Sequence, residues 1–263
     1  MAYYTISKFV NDKTITAKNL SKEFFDYVFL DKGNVKKISE ITKISEDTIN
    51  EIKKEFQYFY PVDSRHSGRD LVPNHLTFFV LNHVAIFPES NWPKEIVVNG
   101  SVLMNGSKMS KSMGNIIPLR KAIQDYGADP IRLAIIISAE LLQDSDFNME
   151  SVSGIQNKIE SLYQECSRLK EDKIENLEAE DRWILSKTQN MILQVTTAIE
   201  KMRLREALHD ILFAFESDLN WYMKRTKAKN RENISGILHQ INSMRVTMLS
   251  PFAPHIAEEM WEK

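Results

Sequence analysis

Lys108 and Lys111 stand three residues apart in the run Lys108-Met109-Ser110-Lys111-Ser112, which continues as Met113-Gly114-Asn115. Two ammonium groups on a short, serine-rich loop are compact, movable point charges. They are suited to meet the negative charge that develops on a polyphosphate as it is cleaved. Ser110, Ser112 and Asn115 add side chains that can shape the loop through hydrogen bonds, and Gly114 permits a backbone angle that other residues avoid. No base partner for Ser110 is evident, so it is not read as a nucleophile. Lys-x-x-Lys alone would be read as solvated surface. The complete five-residue word arises by chance in on the order of one in ten thousand chains of this size, which favours a phosphate loop.

The elements that must position this loop can be read around it. Asn105-Gly106 between Ser101–Met104 and Ser107–Met109 is a strong hairpin signal. Ile96-Val97-Val98 is a short apolar run of the kind found in buried parallel strands. Upstream, Ser45 suits the N-cap of a helix running to about Tyr58, with Ile49, Ile52, Phe56 and Phe59 on one face, and Pro61 ends it. A second helix is predicted from near Pro73, with Leu76, Phe79, Val80, Val84 and Phe87 at helical spacing. Downstream, Asp129-Pro130 is expected to cap a helix carrying Ile131, Ile135 and Ile136.

Four longer amphipathic helices follow, over 151–170, 184–202, 204–222 and 234–249. Their inward stripes are Ile155, Ile159, Leu162, Cys166 and Leu169; Ile184, Met191, Val195 and Ile199; Leu208, Ile211, Phe215 and Leu219; and Ile237, Ile241, Met244 and Met248. They read as an antiparallel bundle whose Met and Phe stripes are core. The predicted organisation is α/β for residues 1–115, a connecting helical segment over 116–150, and an all-α bundle over 151–263, with the domain seam between about Phe147 and Ser153.

The 263 residues are 43% hydrophobic and 27% charged, ordinary for a globular protein, and the net charge of -2 does not advertise a polyanion partner. Any RNA contact must come from a local patch. The dense run Lys224, Arg225, Lys227, Lys229 and Arg231, with Arg203 and Arg205, is the candidate for tracking phosphates, set against the plainer reading of a solvated face. The single cysteine, Cys166, excludes an internal disulfide and a cysteine-rich zinc knuckle. It points to a reducing, cytoplasmic setting and reads as a core thiol. No apolar run approaches membrane-spanning length, so no membrane partner is expected.

The run Lys108–Ser112 resembles the KMSKS signature of class I aminoacyl-tRNA synthetases. Tyr60-Pro61-Val62-Asp63 and Ser67-Gly68-Arg69-Asp70-Leu71 resemble the segment entering the second half of that nucleotide-binding fold. Ser250–His255 with Glu258-Glu259-Met260-Trp261 resembles a helix of the anticodon-binding bundle of the hydrophobic-amino-acid subgroup. Within it, leucyl-tRNA synthetases of the archaeal and eukaryotic-cytosolic type are most similar, through Met1–Ile6, Ala17–Leu20, Phe24–Phe29, Pro73–Phe79 and Asn82–Pro88. The Trp-Asp-Gln-x-Arg-Gly-Trp-like segment usual in isoleucyl and valyl enzymes is absent from 67–75. No His-x-Gly-His, the HIGH signature of the class, occurs either. The resemblance begins after the family's editing insertion, so the chain is expected to be a fragment: the second half of a Rossmann-like catalytic domain followed by a truncated bundle.

The resemblance implies ATP-dependent activation of leucine and its transfer to tRNA(Leu), with a missing N-terminal half as partner and the chain alone inactive. Lys108 and Lys111 would stabilise the transition state. Met109, Ser110 and Ser112 would complete the ATP loop, and Mg²⁺ would arrive with ATP, with no dedicated protein metal site. Gly68 and Asp70 would approach the adenosine ribose, with Asn74 and His75 lining the same pocket, while Val97, Val98 and Asn99 would flank adenine. His66 and His83 read as structural. Tyr3 and Tyr4 are placed near the leucine pocket or, more simply, in aromatic packing. Two alternatives stay open: an isoleucine, valine or methionine enzyme, and a non-catalytic tRNA-binding paralogue.

Overall fold

The computed structural model describes residues 2–11, 15–110, 112, 114–174, 176–229, 231 and 234–263. Backbone packing separates two units, Met1–Val98 and Asn99–Lys263. That boundary lies inside the α/β stretch expected over 1–115 and well before the seam expected between about Phe147 and Ser153. The physical reason is that the strand leading to the lysine loop pairs with a strand beyond it in the chain, which binds the loop's hairpin to the helical part.

In the first unit the helices α1 (Lys22–Leu30), α2 (Val35–Thr42) and α3 (Glu46–Phe59) enclose a core of Ile6, Phe24, Val28, Ile38, Ile49, Ile52 and Phe56. Each begins on a side-chain cap: Ser21 Oγ accepts from Phe24 N, Asn34 Oδ1 from Lys36 N, and Ser45 Oγ from Thr48 N. Ile49, Ile52 and Phe56 face inward as the 3.6-residue period requires, whereas Phe59 is exposed. Strand β1 (Ser64–Gly68) pairs with β2 (Glu95–Asn99). The apolar run 96–98 does form a strand, yet only Val97 is buried and Ile96 faces outward.

Helix α4 (Thr77–Ile86) departs from its predicted stripe. A π turn over Val72–Leu76 precedes it, and the wider turn rotates the register of the helix. Leu76 and His83 are buried, while Val80 and Val84 are exposed. His83 is a satisfied core histidine: its Nε2 lies 3.1 Å from the Tyr60 hydroxyl and its Nδ1 2.7 Å from Phe79 O.

In the second unit, β3 (Val102–Met104) and β4 (Ser107–Lys108) form the expected antiparallel hairpin, registered Leu103 to Lys108 and Met104 to Ser107. Asn105 (φ 48°) and Gly106 (φ 73°) take the left-handed angles that such a two-residue turn demands. β3 pairs in parallel with β5 (Ser145–Phe147), in the order β4-β3-β5. The crossover runs through α5 (Leu119–Tyr126) and α6 (Ala128–Ser138). Beyond β5 lie α7 (Met149–Arg168), α8 (Ala179–Glu200), α9 (Leu204–His209), α10 (Phe215–Ala228), α11 (Ser235–Leu249) and α12 (Pro254–Trp261). Their buried faces include Ile155, Ile159, Leu162, Ile184, Met191, Leu208, Leu219 and Ile241, as the periodicity predicts, while a π turn over Asp210–Ala214, carrying the buried Ile211, interrupts the single helix expected over 204–222. Cys166 sits in this core, and burial pushes its thiol pKa up. No helix among the described residues is long and apolar enough to cross a membrane.

Asp129 differs from its expected role. Gly127 occupies the N-cap of α6, and Asp129 lies inside the helix, 4% exposed. Its carboxylate accepts instead from Ile256 N at 2.7 Å and His255 Nδ1 at 3.0 Å, at the start of α12. One turn on, Arg132 donates to Phe252 O at 2.9 Å and Pro251 O at 3.3 Å. Together they fasten the turn 250–256 to α6. Asp129→Ala removes a cap and leaves a donor unmet, so it should cost about 1–3 kcal/mol in urea unfolding of the chain.

Candidate functional site

Lys108 closes the hairpin. It ends β4, and its side chain is exposed beside the loop it opens. Met109 and Ser110 are half-buried and Ser112 is exposed, while Lys111 lies outside the described residues. The loop folds back on itself through side chains. Asn115 Oδ1 accepts from Ser110 N at 2.8 Å, Asn115 Nδ2 donates to Lys108 O at 3.1 Å, and the Ser110 and Ser112 hydroxyls lie 2.7 Å apart. Gly114 (φ 66°) makes the reversal possible. Ser110 thus takes part in the loop's own hydrogen bonds through both its amide and its hydroxyl.

In the first unit, Gly68 ends β1 and leads into a 3₁₀ turn, Arg69–Leu71, followed by the π turn. A Cβ at Gly68 would come within 3.0 Å of Asp70 Oδ1, so glycine keeps this carboxylate close to the backbone. Asn74 Nδ2 donates to Asp70 O at 3.4 Å, and Asn74 Oδ1 accepts from His75 N. Gly68, Asp70, Asn74 and His75 are therefore gathered within two consecutive turns, the last three exposed. Val97 is buried and Val98 half-buried on β2, the strand paired with β1. Asn99, exposed, spends its amide on Gly100 O at 2.8 Å. A cavity of about 610 Å³ opens beside Tyr4, Lys8, Glu55, Phe59, Tyr60 and Asp63, crossed by a Lys8–Glu55 ion pair at 2.7 Å. Tyr4 is 78% exposed there and meets the Tyr3 ring edge-on at 6.4 Å.

The basic run is mostly committed elsewhere, because α8 starts on an acidic cluster that its sequence neighbours do not neutralise. Lys229 Nζ lies 3.0 Å from Glu178 Oε2 and 2.8 Å from Glu180 Oε1; Arg225 Nε lies 3.3 Å from Glu180. Arg231 pairs with Asp181 at 2.8 Å and with Glu178 at 3.3 Å. The buried Asp181 also accepts from the Tyr222 hydroxyl at 2.7 Å and from Glu178 N at 2.8 Å. Arg203 pairs with Glu206, and Arg205 donates to Ile137 O at 3.0 Å and reaches Glu140 at 3.4 Å. Of the predicted phosphate contacts, Lys224 and Lys227 are the exposed pair without an ion-pair partner among the described residues. These pairs have a simple reason for being missed: ion pairs across about fifty residues cannot be seen in a local charge count. The Glu178-x-x-Asp181 spacing at a helix start was the available signal.

A match to a family model described as tRNA synthetases class I (M) spans residues 14–169, and a match to an anticodon-binding domain of tRNA ligase spans residues 181–263. The chain belongs to the class I tRNA synthetases. It is 42% identical over 263 residues to leucine–tRNA ligase 2 of Saccharolobus solfataricus, covering 100% of itself and 28% of that relative. Its identity to leucine–tRNA ligase of Pyrococcus furiosus is 42% over 273 aligned positions, again 28% of the relative. The chain thus spans about 28% of the length of the curated relatives it matches. Among solved structures, a leucyl enzyme of Agrobacterium radiobacter in a ternary complex with tRNA and LeuAMS matches 77% of this chain and 27% of its own. That match has TM-score 0.60 and 23% identity. Mycobacterium tuberculosis methionyl-tRNA synthetase with methionyl-adenylate matches 79% of this synthetase chain and 45% of its own, with TM-score 0.67 and 17% identity. These two likenesses concern the fold.

Within this synthetase chain the acidic cluster sets an acid limit. The Lys229 ammonium, the amide at the helix start and Arg225 hold the Glu180 carboxyl down to about 2, against an ordinary 4.5. Burial opposes ionisation of Asp181, yet bonds from Arg231, Glu178 N and Tyr222 outweigh it and hold that carboxyl low as well. A depressed carboxylate stabilises the fold above its unfolded pKa and loses that contribution as pH falls through the folded one. The melting temperature should therefore drop between pH 4.5 and about 2, and Glu180→Gln should flatten part of that drop.

Proposed function

We propose that this chain contributes the phosphate-handling loop and part of the tRNA-binding bundle of a leucine–tRNA ligase, acting in the cytoplasm. The reaction joins leucine to AMP, releases pyrophosphate, and passes the leucyl group to a ribose hydroxyl of tRNA(Leu). The observation that carries the reading is the lysine loop, Lys108–Ser112, within a chain 42% identical along its whole length to proteins named leucine–tRNA ligase.

Lys108, with Lys111, meets charge developing on the triphosphate oxygens. Such cations accelerate reaction only through interactions stronger in the transition state than in the bound substrate. Mg²⁺ arriving with ATP would share that charge, held mainly by the phosphates. Asp70, placed close to the backbone by Gly68, is suited to accept ribose hydroxyls, with Asn74 and His75 beside it. Val97, Val98 and Asn99 offer the strand backbone that would flank adenine. In the bundle, Lys224 and Lys227 carry the tRNA contact. Arg203, Arg205, Arg225, Lys229 and Arg231 shape that surface through their ion pairs.

Leucine-dependent ATP–pyrophosphate exchange tests the reaction. No exchange is expected from the chain alone; exchange is expected after adding the portion of a leucine–tRNA ligase that precedes the matched region. Lys108→Ala should then lower the rate about 10²–10³-fold. Preference for isoleucine or methionine over leucine, or indifference to Lys108→Ala, would overturn the reading.

For tRNA, Lys224→Ala with Lys227→Ala should reduce the slope of log affinity against log salt by about 2, with stability unchanged. Lys229→Ala should lower the melting temperature instead, because it strips Glu178 and Glu180 of their shared partner.

A further inference from the structure

We propose that Asn115 is a positioning residue: its carboxamide ties the backbone of Lys108 and of Ser110 to residue 115 before any phosphate arrives. The proposal rests on the phosphate-loop reading for its purpose, but its geometry stands apart from that reading. The carboxamide uses both of its functions on the loop's own backbone. Oδ1 takes the Ser110 amide at 2.8 Å, and Nδ2 gives to the Lys108 carbonyl at 3.1 Å. A side chain that donates and accepts across a loop imitates a strand neighbour. It continues the ladder that β4 begins, where Lys108 is already registered against Leu103.

Three further features serve the same closure. Gly114 at φ 66° turns the chain back so that residue 115 faces residue 108, and open space around its Cα shows that the glycine answers an angle, not a crowded contact. The Ser110–Ser112 hydroxyl pair at 2.7 Å makes a second, inner tie. At the far end, the Asp146 carboxylate accepts from Gly106 N at 2.8 Å and fixes the hairpin turn to β5. The backbone carrying Lys108 is therefore held on both sides, by Leu103 and by Asn115. Backbone at Lys108 and Ser110 that is tied in advance loses less conformational entropy when a ligand is met, which is how preorganisation improves affinity.

The two bonds predict different behaviour for two replacements. An alanine at 115 abolishes both. An ionised aspartate keeps an acceptor for Ser110 N but opposes one oxygen to the Lys108 carbonyl. The test is hydrogen–deuterium exchange of the chain, together with trypsin cleavage after Lys108 and titration with inorganic tripolyphosphate. In Asn115→Ala, the Ser110 amide should exchange about fivefold faster, as expected for losing one ordinary hydrogen bond. In Asn115→Asp it should stay protected. Cleavage after Lys108 should rise in both variants, while exchange in α7 to α11 stays as in the parent chain, which shows that the fold is intact.

Equal Ser110 exchange in the parent and Asn115→Ala, with the bundle unchanged, would overturn the latch. So would identical cleavage in all three proteins. Tripolyphosphate should bind Asn115→Ala and Lys108→Ala more weakly than the parent chain. Failure of the parent to bind it, with the exchange pattern as expected, would count against the phosphate reading of the loop and leave the latch standing.

Discussion

The backbone at Gly100 lies so close to Gln143 that a Cβ there would fall 2.0 Å from the Gln143 carbonyl oxygen. This contact lets β3 and β5 lie side by side. Gly100 N donates to Leu141 O at 2.8 Å, Ser101 N meets the Asp144 carboxylate at 2.8 Å, and the parallel ladder then runs from Val102–Ser145 to Met104–Phe147. β4 hangs from β3 by a two-residue turn, and the lysine loop hangs from β4. Without the close approach at residue 100 the pairing would lose its start, and the loop would have no fixed base. The same pairing places the loop in the helical unit and not with the strands that precede it in the chain.

Charge burial governs the bundle in a similar way. A buried ion is tolerable only with partners, and removing one partner costs more than the pair contributes. Asp129 and Asp181 are each nearly inaccessible, and each is met by donors from a distant part of the chain. Arg245, 1% exposed, shows the tension most clearly. It donates to Ile211 O, within the π turn Asp210–Ala214, and to Asn242, and burial lowers its pKa despite the nearby Glu165. That π turn interrupts the long helix expected over 204–222 without removing Leu208, Ile211, Phe215 or Leu219 from the core.

Much of the fold was legible because it rests on local physics. The cap at Ser45 acts within three residues, the Asn105-Gly106 turn within four, and the bundle stripes repeat at the helical period. The hairpin base of the candidate site was legible for the same reason. Less legible was α4. There a π turn, which no residue pattern announced, turned Val80 and Val84 outward and gave the inner position to His83. The role of Asp129 was also hidden: Asp-Pro before an apolar run is an ordinary helix start, and nothing local distinguishes a carboxylate that caps its own helix from one that caps another 127 residues away.

The chain of residues by itself determined where many helices and the hairpin begin, which faces are apolar, and that Gly114 takes a left-handed angle beyond Lys108, since each depends on neighbours a few positions apart. Only the tertiary structure decided which charges remain available. The run Lys224–Arg231 reads as one basic surface, but Glu178, Glu180 and Asp181, far off in sequence, neutralise Arg225, Lys229 and Arg231 and leave Lys224 and Lys227 exposed. A Coulomb interaction depends on distance in space, and that distance is set only once α8 and α10 are packed.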